Sequence, residues 1–127
     1  MRKNKNIVES FQNAFKGLLH AFKNERNLPI HLAFIILIIL MGIFLRISGL
    51  EWLVCLIFFV GVTATELINT AIENTVNICS PQESQLARLA KDVAAGAVLI
   101  WTLGSVIAGL IIFLPKLLAL FNIVNIS

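Results

Sequence analysis

Charge is scarce in this chain. Asp, Glu, Lys and Arg make up 13% of the 127 residues while apolar residues make up 58%, and the mean hydropathy is +0.90. A soluble globular domain carries about 25% charged residues, so a soluble fold is excluded and an integral membrane protein of one domain, 1–127, is the reading that remains. The signatures of the usual nucleotide-binding folds are also missing, for there is no P-loop, no glycine-rich kinase loop and no HRD or DFG motif. The two cysteines, Cys55 and Cys79, sit in or beside apolar runs without CxxC spacing or neighbouring histidines. That excludes a zinc site and predicts two inert, buried thiols. No small-residue cleavage site follows the long basic N-terminus, so the first apolar segment is expected to stay in the mature protein. Nor do the basic residues suit nucleic acid, whose partners do not come with so apolar a remainder.

The few charges are unevenly placed. Arg2, Lys3, Lys5, Lys16, Lys23 and Arg26 crowd the first 26 positions. Between them Ile7, Phe11, Phe15, Leu18, Leu19 and Phe22 recur at three- and four-residue intervals, which predicts an amphipathic surface helix over 6–24 lying in the membrane interface. Three spans follow, over 28–47, 51–78 and 84–120, giving an all-α membrane protein. The "RISGLE" turn separates the first two and "CSPQESQ", with Pro81, the last two. Ala94, Ala95, Gly96, Ala97, Gly104, Ser105, Ala108 and Gly109 punctuate the third span, and small residues of this kind let helices approach closely within or between chains. Eight Lys and Arg fall on the side of the N-terminus and the 78–92 connection, against Arg46 and Lys116 on the other. The positive-inside rule puts the N-terminus in the cytoplasm.

"TELINTAIENTVN", residues 65–77, breaks the apolar pattern. On a helix Glu66, Asn69, Thr70, Glu73 and Asn77 form one polar stripe, because seven residues make nearly two turns. A carboxylate facing lipid costs several kcal/mol, so the stripe must face protein, water or a ligand. Counting from Trp52, Glu66 lies roughly 21 Å into the membrane, past the midplane, and Glu73 lies nearer the cytoplasmic surface. The two α-carbons are about 10 Å apart, too far for both carboxylates to hold one magnesium ion. They are expected to divide the work. Glu73 can share a metal with Glu25, which comes from the same side. Glu66, deeper and drier, suits a general base acting on a group that resides in the membrane. Lys91 and Asp92 open the third span at the same level, where a lysine reads as a phosphate contact. Together these residues predict phosphoryl transfer from a water-soluble donor to a lipid alcohol.

"ELINTAIENTVN" with "AKDVAAGAVLI" resembles the prokaryotic diacylglycerol kinase family, and more closely its Gram-positive branch of undecaprenol kinases. The likeness runs through nearly the whole chain, including "FKGLLHAFKNERN". It implies a homotrimeric kinase of the plasma membrane that uses ATP with Mg2+ to phosphorylate a lipid hydroxyl, undecaprenol first and diacylglycerol as the alternative. Carried over by position, it makes Glu66 the general base, Glu25 and Glu73 the magnesium carboxylates, Asn69 an amide beside the phosphates, Lys91 the phosphate-contacting lysine and Asp92 a nucleotide-contacting acid. The chain departs from the family pattern at Pro29, where an arginine is common, and at Leu89, where a basic residue precedes "AKD" and Arg88 stands one place earlier. His31 replaces a glutamate of the diacylglycerol-specific branch. A reading of another class, a small proton- or ion-conducting oligomer in which Glu66 titrates, also fits the residues alone.

Overall fold

The computed structural model describes residues 6–126; Arg2, Lys3 and Lys5, part of the predicted basic N-terminus, lie outside them. The chain forms four helices, α1 (Ile7–Asn24), α2 (Asn27–Leu45), α3 (Gly49–Cys79) and α4 (Gln85–Ile126). Three of them, α2, α3 and α4, are long and apolar enough to cross a membrane. At 1.5 Å per residue the 19 residues of α2 reach about 28 Å, which matches a hydrocarbon core of about 30 Å. The 31 residues of α3 exceed that thickness by about half, so part of α3 must project beyond it. The chain is a multi-pass membrane protein.

Local chemistry sets the ends. Asn6 caps α1, its side chain accepting from the Glu9 amide at 2.8 Å. Pro29 falls in the first turn of α2, where its missing N–H costs nothing. Arg46 then turns the chain in the left-handed region at φ 53°, and the Ile47 amide bonds back to the Gly42 carbonyl at 3.1 Å. Ser48 and Glu51 form a reciprocal capping box at the start of α3. Glu51, expected at the border of the turn and the second span, lies in the first turn of α3, and Lys116 of α4 reaches it at 3.2 Å. This ion pair fixes α4 beside the α2–α3 turn. α4 runs on through Pro115 to Ile126, beyond the expected limit at 120.

α3 and α4 form the main packed pair, while α2 touches α3 more sparsely and α1 touches both α2 and α3. The pair closes on aromatic contacts. Phe58 meets Trp101 edge to face with centroids 5.8 Å apart, and the Trp101 ring lies on Gly61, where an added Cβ would overlap it. A second cluster, Ile47, Cys55, Ile112 and Phe113, closes the α2–α3 turn end. Cys55 is buried as expected, but Cys79 is exposed. It ends α3 at the opposite end of the bundle, past the apolar run, and so has no core to enter.

The Gly61–Trp101 contact predicts that Gly61→Ala destabilises the α3–α4 pair by about 1–3 kcal/mol through overpacking. Gly17→Ala, where nothing lies within 4 Å of the added Cβ, should be neutral or slightly stabilising. Thermal unfolding in detergent micelles reads both. Equal melting of Gly61→Ala and the parent protein would remove the contact from the account of packing.

Candidate active site

The polar stripe forms as its spacing requires, on a continuous helix. Glu66, Asn69, Thr70 and Glu73 are all half-buried along α3, while Asn77 is exposed one turn beyond Glu73. The Asn69 side-chain amide donates to Glu73 Oε1 at 3.4 Å, a long contact that links two neighbouring turns of the stripe. Thr65 turns its hydroxyl inward to the carbonyls of Gly61 and Val62, at 2.8 and 3.0 Å. It is spent on the helix itself and adds nothing to the stripe.

Glu25 is brought to this face by the break between α1 and α2. It caps α1 in an extended conformation, with its amide bonded to the Ala21 carbonyl at 2.8 Å. There its charge, like that of Glu73, acts on Glu66. Three carboxylates thus share one region that in sequence spans almost fifty positions. Among the described residues no three His, Cys, Asp or Glu side chains converge closely enough to form a protein-only metal cage.

Lys91 of α4 crosses to α3 and donates to Asn77 Oδ1. This hydrogen bond, between residues 14 apart in sequence, joins the stripe to the start of α4. Beside it lies a cleft of about 390 Å3 whose walls include Asn77, Ser80, Pro81, Arg88 and Lys91. Arg88 also pairs with Glu83 at 3.2 Å, but both side chains are largely exposed, so the pair is weakly held. Asp92 is exposed and makes no hydrogen bond or ion pair among the described residues. The structure therefore joins Glu25, Glu66, Asn69, Glu73 and Lys91 along one side of α3 and leaves Asp92 at its margin.

Two buried side-chain atoms among the described residues have no hydrogen-bond partner, Asn69 Oδ1 and His31 Nε2. An unmet buried polar atom costs about 1–3 kcal/mol, and such atoms in native folds call for a ligand, an ion or a water. Asn69 Oδ1 stands in the stripe beside Glu73. Sequence reasoning singled out His31 without giving it a contact, and it passed over Ser80. The Pro81 turn signals that α3 and α4 meet there, but spacing alone does not say that a cleft opens at the meeting point.

A model of the family described as prokaryotic diacylglycerol kinase matches residues 12–113. The chain is 39% identical over 111 residues to the undecaprenol kinase of Bacillus subtilis, covering 87% of this chain and 90% of that protein. It is 36% identical over 116 residues to the diacylglycerol kinase of Synechocystis, covering 91% of this chain and 66% of that protein. The matched region contains all of α2 and α3, with the five joined residues and the α3–α4 cleft. The chain belongs to the prokaryotic diacylglycerol kinase family and is a membrane lipid kinase.

Proposed function

We propose that the protein transfers the γ-phosphoryl group of ATP to the hydroxyl of undecaprenol, giving undecaprenyl phosphate. The observation that carries this reading is the order of groups along α3. Lys91 and Asn77 stand at the cleft end, Glu73 with Asn69 comes next, and Glu66, on which the Glu25 charge acts, lies deepest. A donor from water and an acceptor from lipid need such an order, because each must reach the reacting phosphorus from its own phase.

The residues present fit magnesium. This ion is usually held by one or two carboxylates together with substrate phosphates rather than by a full protein cage; Glu73 lies beside Asn69, whose side-chain oxygen is unmet, and Glu25 supplies the second carboxylate. When bound, the ion offsets negative charge on the phosphates. Lys91 contacts the phosphates from the α4 side, and Asp92 and Arg88 flank the path of the rest of the nucleotide. Glu66 accepts the proton as the lipid oxygen attacks the γ-phosphorus. The bond from that phosphorus to the bridging oxygen breaks, and ADP leaves towards the cleft.

The same features support a placement in the membrane. α1 exposes Ile7, Phe11 and Phe15, and these residues anchor it in the cytoplasmic interface of the plasma membrane. The excess of Lys and Arg at that end orients the chain. The exposed apolar faces and small residues of α4 support association between chains, and the family resemblance implies a homotrimer. The likeness to a diacylglycerol kinase supports a second acceptor, diacylglycerol, at the same site.

Proteoliposomes offered both alcohols in competition, with Mg2+ and ATP, should yield mainly undecaprenyl phosphate; a product dominated by phosphatidic acid would overturn the acceptor assignment. Glu66→Gln should lower turnover by about two to four orders of magnitude, the range of general-base contributions, with nucleotide binding preserved. Near-normal turnover would remove the base role. Glu73→Gln should weaken magnesium-dependent ATP binding about tenfold, or about 1.4 kcal/mol, and an unchanged magnesium requirement would remove its ligand role.

A further inference from the structure

α2 leans away from α4 and leaves a slot between them, floored by α3. Its volume is about 410 Å3, and its walls include His31, Phe34 and Met41 of α2, Val62 of α3 and Ser105 and Gly109 of α4. Cys55, Ile112 and Phe113 of the buried cluster also line it, so the slot ends against the packed α2–α3 turn. From Met41 up to His31 the rise is about 15 Å. At the His31 end Val62 lines the slot, and Glu66 stands one helical turn beyond Val62.

The chemistry of the lining decides what fits, and the volume lies in the range of small-molecule sites. The lining carries no Asp, Glu, Lys or Arg, as befits a ligand pocket that is mostly apolar with a few placed polar groups. One such group is already in place. His31 Nε2 is buried in the structure without a partner, at the end of the slot nearest Glu66.

We propose that this slot takes the first isoprene units of a polyprenol, and that His31 Nε2 positions the alcohol oxygen toward Glu66. An alcohol both donates and accepts, so it satisfies Nε2 in either tautomer. His31 is thus a positioning residue, and the slot holds the tail of the acceptor. The inference rests on the polyprenol kinase reading and adds to it a place for the tail.

The test uses the full-length protein in proteoliposomes and a polyprenol carrying a photoreactive group within its first isoprene units. Irradiation should give adducts on 31–41 of α2 and 102–113 of α4, and adducts confined to other segments would overturn the slot. Ser105→Phe should raise the polyprenol KM about tenfold, or about 1.4 kcal/mol, with the ATP KM unmoved. Leu103→Phe, two residues away and roughly 200° around the helix on the exposed face, should leave both unchanged. Equal KM values for Ser105→Phe and the parent protein would contradict the proposal. His31→Gln should retain acceptor turnover that His31→Leu loses, and equal loss in both would remove the positioning role. If the parent protein phosphorylates polyprenol without slot adducts, the slot fails alone. If it phosphorylates no polyprenol, the functional reading fails and the slot with it.

Discussion

A carboxylate left facing hydrocarbon costs several kcal/mol, and the polar stripe of α3 carries two of them, Glu66 and Glu73, on a mostly apolar helix. Much of the fold follows from that constraint. The stripe needs cover, and α1, α2 and α4 are placed so that its inner four residues are half-buried. The break at Glu25 folds α1 back toward α3, and the turn at Pro81 returns α4 so that Lys91 meets Asn77. At the opposite end the Ser48–Glu51 box and the Lys116 ion pair hold α3 and α4 in register. Polar chemistry thus anchors both ends, and the ring contacts of Trp101 with Gly61 and Phe58 lock the middle.

The same constraint makes the site useful. Because α3 is longer than a bilayer is thick, one helix face passes from water into lipid and carries its functional groups with it. In the proposed reaction, charges near the surface handle a polyanion and its cation, and the deepest acid meets a group that never leaves the membrane. Neither role needs a loop, a lid or a nucleotide-binding fold, which is how a chain of 127 residues without such motifs performs phosphoryl transfer between two phases. Membership of a lipid kinase family leaves no ground for the alternative in which Glu66 titrates within a conducting bundle.

Periodicity made parts of this legible in the sequence. The stripe from Glu66 to Asn77 depends only on 3.6 residues per turn, and the spans depend only on apolar length. What spacing did not supply is tertiary. The closeness of Glu25 to Glu66 depends on the angle at which α1 meets α2, and the Lys91–Asn77 bond depends on how tightly the Pro81 turn closes. Cys79 was expected to be buried because it adjoins an apolar run, yet its level in the bundle decides the matter and leaves it exposed. Glu51 was set at the border of the turn and the span, and the readable Ser48-x-x-Glu51 capping box starts the helix two residues earlier. The unpartnered Nε2 of His31 could not be seen without the slot around it.

The most direct measurement of the two-phase arrangement is depth. Nitroxides attached at positions 66 and 73, in a chain whose own cysteines are replaced by serine, report collision with oxygen in lipid and with a nickel chelate in water. Position 73 should be nickel-accessible and position 66 oxygen-accessible, with depths that differ by about 10 Å. Two equally deep positions, or two positions equally open to nickel, would contradict the division of the site between water and lipid.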